Sequence, residues 1–362
     1  MIAIGFTQIY RQGAGLLDRL GETSAMFGRK PLVVTDSFGR AAFGARVDAA
    51  LTTAGLSPEF FEHSGEVSPQ AIEAVVAAAR DKACDFAMGL GGGKILDLSK
   101  AVKLLLGLPV VVVPTVASND APTSRVIVTY NPDGTFIGPR FLDRNPDAVF
   151  VDTEVIARAP VRFLIAGMGD ALATHFEARQ CLASGAQNFF AGRPTQTALA
   201  LAELCYNLVR RHGEAAVQAV RAQMVNDDLE KIVEANVLLS GLGFEGCGVA
   251  GAHAVSQGFT LIPELHGRLH GEEVAVGLLA QLVLEGRDQA FMADMFGFYR
   301  RVGLPASLAD LGLAKPTPAQ LETIAAFACR PKSRMYNMAV PVSVERTQAA
   351  LARVEELAAA TL

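Results

Sequence analysis

Between residues 31 and 115 the chain repeats one unit: a short β-rich apolar run, then a stretch with helical spacing. The runs are "PLVVTD" (31–36), "PEFFEH" (58–63), "DFAMGL" (85–90) and "PVVVVPT" (109–115), with helices expected around 40–54, 68–81 and 94–106. A run such as "PVVVVPT" has no polar alternation, so both of its faces must be covered, which is the signature of a parallel strand inside β-α-β layers. Further strands are expected at "RVIVTY" (125–130) and "AVFVDT" (148–153), with Asn131–Gly134 as a turn between them.

Beyond about residue 155 the texture changes. Long Ala/Leu-rich segments with helical spacing, such as "QTALALAELCYNLVRR" and "TQAALARVEELAAATL", alternate with glycine-rich joints. The expected architecture is an α/β nucleotide-binding domain over 1–155 followed by an all-helical domain over 156–362, with a cleft between them. A content of 51% hydrophobic and 19% charged residues suits a compact chain rather than a disordered one. The net charge of −5 and the lack of any Lys/Arg cluster give no footprint for nucleic acid. Five scattered cysteines without a CxxC pair suggest neither a disulfide framework nor a thiolate zinc site, so the cytoplasm is the simplest location. The N-terminus lacks a signal-peptide pattern and no stretch of 18 residues runs without polar interruption, so no membrane association is expected.

Three segments point to chemistry. In "GLGGGKILDLSK" (89–100) glycines follow a buried strand and open a helix, where backbone N–H groups and the positive helix end can meet a pyrophosphate. The run matches neither GxGxxG nor a Walker A motif, since Lys94, Met88 and Ile95 stand at the diagnostic positions. Asp36 ends its strand where a carboxylate can accept from an adenosine ribose and repel a 2′-phosphate, or can simply cap the following helix. The loop "PTVASNDAPTS" (114–124) then gathers small hydrogen-bonding residues at a strand's carboxyl end, where α/β ligand sites lie.

The last segment, "GVAGAHAVSQGFTLIPELHGRLHGEE" (248–273), holds His253, His266 and His270. Spacing alone does not bring them together, but two imidazoles plus a carboxylate would leave a divalent ion with open positions, as catalytic sites need. Asp170, read as lying at a helix start within "AGMGDALATHFEARQC" (166–181), is the carboxylate candidate. His175 lies about 140° around the helix from Asp170 and should point elsewhere. His266 is expected to be solvated or core-paired, with a supporting or substrate contact as the other reading, and His63 and His212 are placed in a loop and at a helix end.

These motifs together resemble the glycerol dehydrogenases of the iron- or zinc-containing (group III) alcohol dehydrogenases. The likeness runs through "GLGGGKILDLSKAVKLLLGLPVVVVPTVASNDAPTS", "GMGDALATHFEARQC", "KIVEANVLLSGLGFE", "AHAVSQGFT" and "HGEEVAVG" in one order along the chain. The resemblance implies a dehydroquinate-synthase-like fold, with Asp170, His253 and His270 holding Zn2+ or Fe2+. It implies NAD contacts at Asp36, Gly92, Gly93, Lys94, Thr115, Ser118, Ser124, Val126 and Tyr130, and a polyol contact at Asp120. It further implies oxidation of a small polyol or vicinal diol with NAD, and a homo-oligomer between dimer and octamer.

The chain departs from the family's pattern at three places. Ser256 and Gln257 stand where the family reads His-Asn in AHAxHNG, Asn119 stands before Asp120 where Thr is common, and Tyr336 replaces a histidine in "RMYNM" (334–338). These changes bear on the polyol pocket. The same scaffold could serve a glycerol-phosphate dehydrogenase or a dehydroquinate-synthase-like lyase, for which Arg268 and Arg125 are the only evident cations near the metal segments, or a non-catalytic nucleotide-binding protein.

Overall fold

The computed structural model describes residues 1–360; the last two residues of the expected helical domain and of its final helix lie outside the described residues. The strands are β1 (Ile9–Gly13), β2 (Pro31–Thr35), β3 (Glu59–Glu62), β4 (Phe86–Gly91), β5 (Val110–Pro114), β6 (Val126–Tyr130), β7 (Phe136–Phe141) and β8 (Ala148–Asp152). Six of them form one parallel sheet in the order β1-β8-β5-β4-β2-β3. Every residue of β2, β4, β5 and β8 is buried, as their unbroken apolar runs require.

From β2 the chain goes outward to β3 and returns to β4 on the other side of β2. That reversal opens a crevice at the carboxyl ends of β2 and β4, where doubly wound sheets take their ligands. It also explains why Asp36 can precede the glycine run by some fifty residues and still lie beside it: Thr35 is in register with Leu90, and Gly91 with Pro114.

Two strands were not legible as such. β1 is a half-exposed sheet edge of only five residues. β7 carries Gly138 and Pro139 and pairs antiparallel with β6, so the Asn131–Gly134 turn closes a β6–β7 hairpin rather than leading to β8. Gly138, at a φ of +153°, sits opposite Thr129 beside the irregularity in that hairpin.

After β8 the described chain is helical. Asp170 is not at a helix start but in the middle of Val161–Ser184. Gly167 and Gly169 are contact points within it: a Cβ on Gly167 would lie 2.0 Å from the Ala117 carbonyl oxygen, and one on Gly169 2.3 Å from that of Gly271. His212 likewise lies inside the Gln196–Arg221 helix, paired with Asp228 at 2.7 Å. The Asp227–Cys247 helical stretch contains a π-helical segment, Ala235–Leu239, and Gly248 at a φ of +105° then turns the chain so that the Gly251–Phe259 helix departs at 105°. No single helix among the described residues is long and apolar enough to cross a membrane.

Candidate metal centre and nucleotide crevice

Asp170, His253 and His270 converge from three helices. His253 lies on Gly251–Phe259, and His270 is the first residue of His270–Leu284. The Nε2 atoms of both imidazoles lie 3.5 Å from Asp170 Oδ1, and the ring centroids are 5.3 Å apart. Neither oxygen of the fully buried Asp170 carboxylate has a hydrogen-bond partner. An orphaned buried carboxylate is costly, several kcal/mol for a charge with no partner at bonding distance. A shared cation removes that cost: ligands about 2.0–2.1 Å from an ion in tetrahedral array stand roughly 3.3 Å apart, close to the spacing observed. The donor set, two nitrogens and one carboxylate oxygen, therefore fits a divalent transition ion.

A residue that sequence reasoning passed over completes the arrangement. Glu177, fully buried, takes the Nδ1–H of His253 at 2.6 Å and also accepts the backbone N–H groups of Ala250 (2.7 Å) and His253 (3.0 Å). With Nδ1 engaged in this way, Nε2 is the ring atom turned toward Asp170, the orientation that carboxylate–histidine pairs have around metals. The signal was present in "GDALATHFE", because Glu177 follows Asp170 by seven residues, two helical turns, on an apolar face.

Asp120 comes from the polar loop after β5. Its Oδ2 accepts from the Ser240 hydroxyl at 2.8 Å, and Ser240 follows directly on the π-helical segment. The Ser240 hydroxyl also meets the Thr174 hydroxyl at 2.9 Å, linking the loop to the Asp170 helix. Burial pushes the Asp120 carboxyl well above the usual range, and the neighbouring Asp170 charge adds to the shift. Burial also opposes ionisation of Asp170, but His270 and His253 outweigh it and hold that carboxyl low.

The expected nucleotide contacts fall partly on one sheet edge and partly on the segments that follow it. Asp36, Gly92, Gly93 and Thr115 share the carboxyl edge of β2, β4 and β5. Asp36 does cap its helix, accepting from Gly39 N–H at 2.6 Å through Oδ1. No side chain caps the helix that opens at Gly93, and the close approach of Asn119 leaves little room for a Cβ there. Lys94 is drawn to Glu66 at 2.6 Å. Ser118 is buried within the loop after β5, and Ser124 is buried with its hydroxyl accepting from Val126 N–H. Val126 and Tyr130 are half-buried on β6, and burial raises the Tyr130 phenol to about 12.

The other histidines stay apart. His266 is exposed with Nε2 against the Thr260 carbonyl, His63 faces the Glu66 carbonyl, and His175 stacks on Tyr206 with burial lowering it to about 4.

Comparison with known proteins places the chain in a family. Residues 7–153 match the model of the iron-containing alcohol dehydrogenase family. The chain is 42% identical to a glycerol dehydrogenase of Escherichia coli O6:H1 over 342 residues, 94% of this chain and 93% of that protein. The chain belongs to the iron-containing alcohol dehydrogenase family. It is also 38% identical to a glycolaldehyde reductase of Halobacterium salinarum over 96% of this chain and 95% of that one. The crystal structure of a probable glycerol dehydrogenase from Sinorhizobium meliloti 1021 superposes with a TM-score of 0.93 at 39% identity, covering 100% of this chain and 99% of that one.

Within the iron-containing alcohol dehydrogenase framework the departures have definite places. Ser256 is buried and its hydroxyl turns back on the His253 carbonyl at 3.0 Å. Gln257 is half-buried one turn beyond His253 and accepts from Arg330 at 2.7 Å. Tyr336 is 55% exposed and donates to the Cys329 carbonyl, while Asn337 donates to Val249.

Proposed function

We propose that this chain is a metal-dependent oxidoreductase that moves hydride between a small polyol or vicinal diol and NAD. The observation that carries the reading is the orphaned Asp170 carboxylate, equidistant from two imidazole nitrogens. Asp170, His253 and His270 would hold Zn2+ or Fe2+. When bound, the ion supplies charge that lowers the pKa of a polyol hydroxyl, and NAD supplies the hydride acceptor.

The chain's own residues set the reaction up. Glu177 holds the His253 tautomer, and Asp120, braced by Ser240, offers its other carboxylate oxygen to a polyol hydroxyl. On the nucleotide side Asp36 caps its helix with one oxygen and has the second free for a ribose, which disfavours a 2′-phosphate. Gly92 and Gly93 open the helix whose amides face the pyrophosphate, with Lys94, Thr115, Ser118, Ser124, Val126 and Tyr130 along the same crevice. In this reading residues 1–155 are the nucleotide unit and 156–362 the metal unit, in a cytoplasmic homo-oligomer.

A phosphorylated substrate is the weaker reading. Arg268 is exposed, and Arg125 is committed to the Leu142 and Phe189 carbonyls, so neither adds a cation to the site.

The test is metal reconstitution followed by a panel of glycerol, 1,2-propanediol, 2,3-butanediol and hydroxyacetone with NAD and NADP. Asp170→Ala and His253→Ala should lose bound metal and turnover while still binding NAD. Full turnover by a metal-free variant, or none by the loaded wild type with any diol, overturns the assignment.

A further inference from the structure

We propose that Arg330 makes this site selective for diols whose next carbon carries a carboxylate, that is, for 2,3-dihydroxy acids over glycerol itself. The inference rests on the polyol oxidoreductase reading above and narrows its substrate.

The argument begins on the Gly251–Phe259 helix. His253, Gln257 and Thr260 form its least buried stripe, while Ala252, Ala254, Val255, Ser256, Gly258 and Phe259 are buried. Residues four apart on a helix are neighbours, so Gln257 is the next side chain on the face that carries the metal-ligand candidate His253. The Gln257 Oε1 atom accepts from Arg330 Nη2 at 2.7 Å. Arg330 is thereby tied to the residue one turn beyond His253, from a segment 73 residues away in sequence.

Arg330 differs from several arginines in this half of the chain that are held by carboxylates. Arg162, Arg210, Arg287 and Arg301 each pair with a carboxylate. Arg330 is half-buried and has no ion-pair partner among the described residues; its second bond goes to the Phe327 carbonyl at 2.8 Å, and its plane lies 3.9 Å above the Phe327 ring. A guanidinium has five N–H donors in a fixed fork, and the two neutral acceptors leave most of them free. Burial also presses on its charge, lowering its pKa. A half-buried, aromatic-backed guanidinium with neutral partners is suited to receive one planar anion bidentately.

Size points the same way. Gln257 lies four residues from His253, about 6 Å along the helix axis, which is within reach of a three-carbon acid held at the metal end by its hydroxyls. The family's His-Asn is Ser256-Gln257 here. The small Ser256 hydroxyl turns back on its own helix, and the longer amide of Gln257 reaches out to anchor Arg330. One fork matches a carboxylate; a dianionic phosphate would call for further cations, and Arg125 and Arg268 are turned elsewhere.

The reaction is the same two-electron step. A C–H bond of the carbinol carbon breaks, its hydride reduces NAD, the hydroxyl proton leaves to solvent, and the carbinol becomes a carbonyl.

The experiment compares kcat/KM of the metal-loaded enzyme for glycerol, glycerate and glycerol 3-phosphate with NAD. Glycerate should exceed glycerol by at least about 10-fold in the wild type, as one charge-assisted pair warrants. Arg330→Met should lower the glycerate-to-glycerol ratio by about 10- to 100-fold through KM rather than kcat, because the arm binds ground and transition states alike. Arg330→Lys should restore part of the ratio, since it keeps the charge but not the fork. A wild type that oxidises glycerol at least as well as glycerate, one that prefers glycerol 3-phosphate, or an Arg330→Met that depresses both substrates equally overturns the proposal while leaving the oxidoreductase reading intact. Failure of all diols defeats that reading instead.

Discussion

Gly271 provides a demanding check on how the proposed metal site is built. It follows His270 at the start of its helix, and a Cβ placed there would sit 1.8 Å from the Ala166 carbonyl oxygen and 2.5 Å from the carbonyl carbon. Ordinary contact begins near 3.4 Å, so Gly271→Ala must part the two helices by about 1.6 Å. The obstacle is backbone inside a helix and cannot rotate away. Overpacking of this kind costs about 1–3 kcal/mol of stability, but the larger effect falls on the ligands. His270 would move with its helix relative to Asp170, and a metal site tolerates about 0.2 Å. Metal affinity should fall on the order of 100-fold or more, with kcat falling in parallel at limiting metal. Gly297→Ala is the control, because its Cβ meets only the flexible Arg301 side chain, at 3.3 Å; it should be neutral or slightly stabilising. Metal content of dialysed protein by mass spectrometry, with a zinc-chelator competition titration, reads the outcome. A Gly271→Ala variant that keeps stoichiometric metal and turnover within threefold of wild type would refute the claim that this contact sets the ligand spacing.

Three further tests address other parts of the chain. Glu177→Gln keeps an acceptor but loses the charge that orients His253, and should weaken metal binding by about 10- to 100-fold in the same titration; unchanged affinity would remove Glu177 from the site. Asp36→Ser retains an oxygen for the helix cap and loses the carboxylate, so the preference for NAD over NADP should narrow by at least about 10-fold with little change in unfolding midpoint; an unchanged coenzyme ratio counts against a ribose contact. Glu245 is fully buried, and burial raises its carboxyl to about 7 despite donation from Arg125 N–H and Asn145. The folded state therefore favours the protonated form: that contribution is complete below about pH 4.5 and is lost as pH rises through about 7. The slope in that window is about 1.4 kcal/mol per pH unit at most, so wild-type stability should decline relative to Glu245→Gln across it. Parallel denaturation curves of the two proteins from pH 4.5 to 8 would contradict the shift.

The sequence made the parallel sheet legible because a strand covered on both faces must be apolar throughout, and β2, β4, β5 and β8 are. β1 and β7 carry no such constraint, being half-exposed, and β7 is interrupted by Gly138 and Pro139. The same asymmetry runs through the site. Asp170, His253 and His270 stood out as polar residues in apolar surroundings, but Glu177 did not, since its partner is 76 residues away and only a helical wheel aligns it with Asp170. Arg330 was invisible for the same reason: nothing local in "ACRPKS" says that Gln257 will hold it.

The glycines around the three converging residues sit at close backbone contacts. An isolated glycine weakens a helix by about 1 kcal/mol relative to alanine, so glycines kept around Asp170 call for a packing reason. Here each one marks a place where two backbones touch. Gly167 meets Ala117, Gly169 and Ala166 meet Gly271, and a Cβ on Gly277 would lie 2.3 Å from the Ala252 carbonyl oxygen. The first three contacts flank Asp170 and His270, and the fourth joins the His270 helix to the His253 helix one residue from its ligand. Three candidate ligands on three helices can stay within a few tenths of an ångström only if the helix axes are fixed, and backbone contacts without side chains between them have no rotamers through which to relax. If that is right, Gly277→Ala should loosen metal binding as Gly271→Ala does, although residue 277 is two helical turns from the nearest ligand on its own helix. Retention of full metal affinity in Gly277→Ala, with loss in Gly271→Ala, would restrict the effect to the residue beside the histidine and leave the crossing of the two histidine helices without a role.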